Sequence, residues 1–243
     1  MTDFREAHRL SFGPAAELYD RARPSYPAEA LRFALGDTPV RVVDLGAGTG
    51  LLTRALVELG HEVLPVEPDP RMRAQLDSAT PGVTALAGSA ESIPLPDASV
   101  DAVVVGQAYH WFDQERAHPE IARVLRPGGV FAPMWNERDE SVSWVAELWR
   151  LIGRAGQEPA EHDFGPLFGP IEVAKFRHVT RHTVATLLEL VRSRSYYLTA
   201  SAERRAEIEA AVHHLAATHP DLRDHDEYEL AYITEVHRAY RAP

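Results

Sequence analysis

The stretch "VVDLGAGTG", residues 42–50, decides the reading of this chain. A short apolar run carries an acid, Asp44, and glycines follow at alternate positions, Gly46, Gly48 and Gly50. Glycine in that density is costly, because it loses more backbone freedom on folding than any other residue. Such a turn is kept where something comes too close to the backbone for a side chain. If the turn joins a strand to a helix, the N–H groups of the first helical turn point at that object and no Cβ stands in the way.

Outward from this turn the chain alternates. "VRVVDLG" (40–46) fits a strand buried on both faces. "GLLTRALVELG" (50–60) puts Leu52, Leu56 and Leu59 at helical spacing and closes at Gly60. "EVLPVEP" (62–68) reads as the next strand, and "PRMRAQLDSA" (70–79) as a helix with Pro70 in its first turn. "GVTALAG" (82–88) is expected to be a third strand and "SVDAVVVGQ" (99–107) a fourth. "DQERAHPEIARVLRPGG" (113–129) predicts a helix, broken or kinked at Pro119, and then a turn. "GVFAPMWNE" (129–137) is the fifth strand. Strands alternating with helices imply a parallel sheet covered on both faces.

The remainder departs from this rhythm. A helix over 141–152 precedes a loop, 156–170, placed to close over a site. An edge strand at 175–184 is expected to pair with a final strand at 228–241, with helices near 185–194 and 202–218 between them. Residues 1–27, with scattered aromatics and arginines, read as a helical or irregular flap outside the core. The expected organisation is one domain: flap 1–27, core 28–140, lid segment and C-terminal strands 141–243.

Composition narrows the function. The 243 residues carry a net charge of −11 and no cysteine, which excludes disulfides and thiolate metal sites. An acidic balance counts against non-specific nucleic-acid binding. Lysine occurs once, at Lys175, against abundant arginine and alanine, a bias expected of a GC-rich bacterial genome. No apolar run approaches the ~18 residues that span a bilayer. The start, "MTDFREAHRLSFG", lacks the apolar core of a secretory signal. The expectation is a cytoplasmic monomer or homodimer whose partner is a small molecule, with no nucleic acid, membrane or metal. His178 and His182 share a strand face, a spacing too common to make a metal site.

Two familiar nucleotide turns do not fit. A dinucleotide site wants G-x-G-x-x-G, and Leu51 stands where its third glycine belongs. A phosphate loop wants G-K-[ST], which the sequence lacks. Glu67 closes the second strand, where a carboxylate accepts from both hydroxyls of a ribose. The alternative is that Glu67 caps the helix at Pro70, and Asp69 is a rival for the ribose. Ligands of open parallel sheets lie beyond the carboxyl ends of strands. That places Gln107, Tyr109, His110 and Trp111 of "GQAYHWFD" near a reacting centre, with Tyr109, Trp111, Trp135 and Asn136 expected to line a substrate pocket.

The spacing D-x-G-x-G-x-G resembles the first motif of class I S-adenosylmethionine-dependent methyltransferases. "AGSAESIP" (87–94) resembles that family's adenine segment, although Ser89 stands where many relatives carry Asp. "HW" at 110–111 and "YDRARPSYP" at 19–27 resemble the trans-aconitate methyltransferase-like subgroup of the type 11 methyltransferases, and "LRPGG" at 125–129 resembles a structural mark of the family. The resemblance implies a Rossmann-like α/β fold with a seven-stranded sheet, order 3-2-1-4-5-7-6 and strand seven antiparallel. It implies S-adenosylmethionine as cofactor and S-adenosylhomocysteine as product. Carried over residue by residue, the cofactor set is Tyr19, Arg23, Asp44, Gly46, Ala47, Gly48, Gly50, Glu67, Pro68, Ser89, Ala90, Glu91, Gly106 and Gln107. Within it Ser89 and Ala90 would meet the adenine, and Glu91 would be outward and structural. Tyr19 would cover the sulfonium, whose charge favours an aromatic face. Arg23 would pair with the methionine carboxylate or with an acidic acceptor. His110 is the candidate base for a hydroxyl acceptor, or else it orders the loop. The expected acceptor is an oxygen of a small molecule. A regulatory protein that only binds the cofactor, and a methyltransferase acting on a macromolecule, are the other readings.

Overall fold

The computed structural model describes residues 16–152 and 163–243. Its strands are β1 (Arg41–Leu45), β2 (Glu62–Val66), β3 (Val100–Gly106), β4 (Leu125–Arg138), β5 (Glu172–His182) and β6 (Tyr228–Tyr240), which form one sheet in the order β2-β1-β3-β4-β6-β5. The first four run parallel, and β6 lies antiparallel between β4 and β5. The helices are α1 (Ala16–Ala22), α2 (Ala28–Leu35), α3 (Leu51–Glu58), α4 (Pro70–Ala79), α5 (Gln114–Val124), α6 (Ser143–Ile152), α7 (Val184–Arg192), α8 (Ser195–Leu198) and α9 (Ala202–Thr218).

Successive strand residues point to opposite faces. Val43, Leu45, Val103, Val105 and Phe131 bury one face together with Ile121 of α5. Val42, Val104, Ala132 and Met134 bury the other with Leu31 of α2 and Leu56 of α3. Leu31 and Leu56 are wholly buried, about 1.5–3 kcal/mol of hydrophobic stabilisation apiece. A third core joins α6, α7 and α9 to the start of β6 through Trp149, Leu187, Leu215 and Tyr232.

Four expectations need correction. Among the described residues the sheet has six strands, because 82–88 contributes a single bridge, Leu86 to Val66. Leu86 N donates to Pro65 O at 2.8 Å and Glu67 N to Leu86 O at 3.0 Å. Alternate residues of a parallel strand aim both N–H and C=O at the same neighbour. Pro65 has no N–H, so the rung that would extend the ladder to Thr84 cannot form. "RPGG" is a bulge inside β4 rather than a turn ahead of it: Val100 faces Leu125 but Ala102 faces Val130. A Cβ at Gly129 would stand 2.9 Å from Asp101 O, so the bulge needs that glycine. The helix α5 is not broken at Pro119, whose ring forgoes the bond to Glu115 O on an exposed side. Finally, the flap is not all outside the core, since Ala22 and Tyr26 are buried.

The described part of the flap crosses the carboxyl edge of the sheet. Asp20 pairs with Arg54 of α3, and Arg21 pairs with Glu189 of α7 at 3.1 Å. Asn136 pins the segment that follows: its Nδ2 donates to Ser25 O at 3.1 Å, and its Oδ1 accepts from Thr234 Oγ1 at 2.6 Å.

Candidate active site

The three glycines of the opening motif do different work. All have left-handed backbones, with φ of 73° at Gly46, 57° at Gly48 and 88° at Gly50. A Cβ on Gly46 would stand 2.8 Å from Ala108 Cβ, and one on Gly50 would stand 2.7 Å from Leu76 Cγ. Those two positions are crowded by the chain itself. A Cβ on Gly48 would meet nothing within 4 Å. Gly48 is therefore where the backbone is open to an outside molecule.

Asp44 lies beneath this loop. Its Oδ2 accepts from Thr53 Oγ1 at 2.6 Å, while its Oδ1 is buried with no hydrogen-bond partner. Burial, aided by the charge of Glu67, pushes its pKa up to about 7. Glu67 spans the loop: Oε2 accepts from Gly48 N at 3.0 Å and Oε1 from Asp69 N at 2.8 Å. Capping of α4 falls to Asp69, whose Oδ1 accepts from Arg71 N at 2.7 Å. Glu67 is thus not the cap and stays at the glycine loop. Ala47 is buried within that loop, and Pro68 is half-buried with its carbonyl held by Arg73 Nη1 at 2.8 Å.

The 88–92 segment returns on itself, with Ser89 and Ser92 exchanging backbone bonds of 3.2 Å. Ala90 is buried, and Glu91 Oε1 accepts from Asp113 N at 3.0 Å, tying this loop to the start of α5. At the end of β3, a Cβ on Gly106 would stand 2.5 Å from Tyr26 Oη, so that glycine admits the flap. Gln107 holds φ of 59°, its N donates to Met134 O at 3.0 Å and its Nε2 to Asn136 O at 3.0 Å. A non-glycine residue held there is the kind of strain that collects at functional loops.

The residues expected to line an acceptor pocket separate. Tyr109 opens a one-turn 3₁₀ helix, where successive side chains diverge by a third of a turn. Its ring is wholly buried against Phe131, Trp135 and Phe164, and its hydroxyl meets His118 Nε2 at 2.8 Å. Trp135 belongs to the same aromatic core. Phe164 and Phe168, from the expected closing loop, complete it; residues 153–162 of that region lie outside the described residues. Asn136, on the opposite face of β4, spends its side chain on the flap and β6. His110 points out and is exposed, its ring 4.7 Å from that of Trp111. Crowding by protein pushes its pKa down to about 4. Water still reaches the exposed ring, which limits the depression, and the imidazole is neutral at pH 7.

In the flap, the Arg23 guanidinium lies 4.7 Å from the centre of the Tyr19 ring and donates to Ser193 Oγ at 3.0 Å and Ser193 O at 3.1 Å. Burial and the charge of Arg194 push its pKa down to about 10. Burial, with the charge of Asp44, raises the pKa of the Tyr26 hydroxyl, and Arg23 opposes it. Sequence reasoning missed Arg138 and Arg194, the two cations beyond Arg23. Arg138 follows Asn136 by two residues at the carboxyl end of β4, the position where sheet ligands bind, and that was the available signal.

Among the described residues, no helix is long and apolar enough to cross a membrane, and no three His, Cys, Asp or Glu side chains stand together as a metal ligand set. The methyltransferase domain family matches residues 43–132. An uncharacterized methyltransferase of Mycobacterium tuberculosis is 46% identical over 240 residues, covering 98% of this chain and 99% of that protein. A malonyl-acyl-carrier-protein O-methyltransferase of Methylococcus capsulatus is 39% identical over 134 residues, which is 51% of this chain and 49% of that protein. A solved structure of a type II methyltransferase candidate from Anaeromyxobacter dehalogenans superposes with a TM-score of 0.64 at 28% identity, covering 91% of this chain and 99% of that one.

Proposed function

The chain belongs to the class I S-adenosylmethionine-dependent methyltransferases, and from that premise we propose that it methylates an oxygen of a small molecule. The observation that carries the cofactor site is Gly48, a left-handed glycine facing open space beside two carboxylates. When bound, S-adenosylmethionine supplies an activated methyl on a sulfonium and leaves as S-adenosylhomocysteine.

The chain's own groups then have distinct tasks. Gly46, Ala47, Gly48 and Gly50 shape a loop on which the methionine part rests. Asp44 offers an unpartnered carboxylate oxygen, suited to a cationic amine. Glu67 releases Gly48 N and Asp69 N to accept from a ribose diol; Pro68 shapes the turn beside it. Ser89 and Ala90 receive the adenine, while Glu91 holds their loop to α5. Gly106 and Gln107 present backbone along the methionine part, and Tyr19 and Arg23 cover it. Trp111 and His110 flank the acceptor. Held in line, two reactants can gain ~7–11 kcal/mol from orientation alone. His110, neutral at pH 7, takes the proton of a hydroxyl acceptor; a carboxylate acceptor needs no base.

An oxygen acceptor is supported by the O-methyltransferase activity of the Methylococcus relative, which matches half of this chain, and by the arginines around the flap. Tyr109, Trp135 and Asn136 support the pocket from behind rather than line it. The test is a panel of organic acids, phenols and amines, assayed for S-adenosylhomocysteine release by the full chain. Turnover of an acid or phenol is expected. Turnover confined to amines would refute the oxygen acceptor, and failure to bind S-adenosylhomocysteine at all would refute the cofactor site.

A further inference from the structure

Three guanidinium groups gather where the flap meets the end of β4 and the turn after α7. Arg23 and Arg138 both lie in the field of Arg194. Arg138 stacks on the Trp149 ring at 3.5 Å, and Arg194 stands 5.5 Å from the same ring. Among the described residues none of the three is in an ion pair, although arginines around them are neutralised: Arg21 by Glu189 at 3.1 Å, Arg177 by Asp139 at 2.7 Å and Arg192 by Glu209 at 2.7 Å. Glu137, whose charge reaches Arg138 and Arg194, is exposed and pairs with neither.

The same place concentrates unmet donors. The Nε atoms of Arg138 and Arg194, Trp149 Nε1 and the hydroxyls of Tyr196 and Tyr232 are all buried without a hydrogen-bond partner. Tyr196 and Tyr232 both lie in the field of the three arginines. Burial raises the pKa of the Tyr232 hydroxyl and the arginines only oppose that shift, so it stays a neutral donor; Tyr232 faces Arg138 across the β4–β6 ladder. Buried polar groups left unmet are expensive, and buried like charges more so. Every unmet atom here can donate, so what completes the set is an acceptor carrying negative charge.

Resting on the methyl-transfer reading, we infer that Arg138 and Arg194, with Tyr196 and Tyr232, anchor the acceptor by an oxyanion, so that the acceptor is a small molecule bearing a carboxylate or phosphate group apart from the oxygen that is methylated. Tyr26, three residues after Arg23, sets its hydroxyl against Gly106 at the end of β3, the strand beside β1 and its glycine loop. In the transfer, the acceptor oxygen forms the O–CH₃ bond as the C–S bond breaks, and that bond's electron pair stays on sulfur. A carboxylate oxygen gives up no proton; a hydroxyl gives its proton to His110.

The test uses the full chain saturated with S-adenosylhomocysteine and titrated calorimetrically with succinate, citrate and inorganic pyrophosphate. Binding of at least one is expected; a preference for the first two marks a carboxylate anchor and for the third a phosphate anchor. Arg138→Met and Arg194→Met should each weaken it on the order of 10–100-fold, as for one lost charge-assisted contact. Their affinity for S-adenosylhomocysteine should stay at the wild-type value, which also shows that they fold. Arg194→Met should leave the unliganded Tm unchanged or raise it, because it removes an unpaired like charge. No anion binding by the wild type, or anion affinity unchanged in Arg194→Met, would overturn the inference. So would a lowered unliganded Tm in Arg194→Met, which would mark a structural cation. Failure of the wild type to bind S-adenosylhomocysteine is a separate readout and would strike the cofactor reading instead.

Discussion

Gly48 and Gly50 should fail in opposite ways when each becomes alanine. At Gly48 the backbone has φ of 57° and a Cβ meets nothing within 4 Å. The cost to the fold is then the left-handed conformation alone, about 1–2 kcal/mol. For a chain of this size that lowers Tm by roughly 2–8 °C. At Gly50 the same conformational cost applies, and a Cβ would also stand 2.7 Å from Leu76 Cγ, a branch point inside the core. Overpacking adds about 1–3 kcal/mol. The sum, ~2–5 kcal/mol, is a Tm loss of roughly 4–20 °C. Binding should rank the other way. The Gly48→Ala methyl occupies the open space proposed for the cofactor and should raise the Kd for S-adenosylhomocysteine on the order of tenfold or more. The folded fraction of Gly50→Ala should bind with near wild-type Kd. Thermal scans and calorimetry on the two variants decide it. Unchanged affinity in a folded Gly48→Ala, or a Gly50→Ala that melts no lower than Gly48→Ala, would refute the division of labour within the motif.

Asp44 and His110 give two more expectations. Because burial raises the folded pKa of Asp44 from 3.8 to about 7, the folded state holds a proton that the unfolded state releases, and stability falls as pH rises through that window. Asp44→Asn should therefore raise the unliganded Tm at pH 8, by up to about 4 kcal/mol of stability, and change little near pH 4, while weakening S-adenosylhomocysteine; a lower Tm at pH 8 would show that the carboxylate is well paired. For a hydroxyl acceptor, His110→Ala should lower kcat by roughly 10²–10⁴-fold with cofactor affinity held. The wild-type rate should stay flat from roughly pH 8 to 6 and fall below, since the neutral base is lost only as pH drops toward a pKa depressed from its usual ~6.5. A wild-type rate in His110→Ala would remove His110 from the chemistry.

Periodicity in the sequence was enough for most of the fold. Leu52 and Leu56 predicted α3, Pro70 marked the start of α4, and the alternation over 228–241 predicted β6 beside β5. Local pattern failed where the outcome depended on a neighbour. "GVTALAG" has strand character, but the missing donor is on Pro65, in a different strand. "RPGG" reads as a turn because its glycine and proline do not reveal that Val130 will pair with Ala102. In the candidate site, the glycine loop, Glu67 and the Ser89 segment are each a short local pattern, and such patterns can be proposed from sequence. Tyr109 and Trp135 were not, because a residue at a strand's carboxyl end can point to the core as well as to the cleft. The arginine cluster was least readable. Its members come from the flap, from β4 and from the turn after α7, and tertiary packing alone brings them together.

The crossing of α1 over the sheet edge has an electrical side. Asp20 and Arg21 are adjacent, yet they fasten the helix to different halves of the molecule, Asp20 to α3 beside the glycine loop and Arg21 to α7 beside the arginine cluster. The two fastenings differ in access to water: the Asp20 and Arg54 side chains are 16% and 25% exposed, those of Arg21 and Glu189 62% and 31%. Dissolved ions weaken a solvated pair far more than a sheltered one, and at about 0.15 M salt screening already acts over ~8 Å. Raising ionic strength therefore loosens one end of the strap first. The Arg21–Glu189 pair weakens before the Asp20–Arg54 pair, and the hydrogen bonds from Arg23 to Ser193 are left to carry that end of the helix.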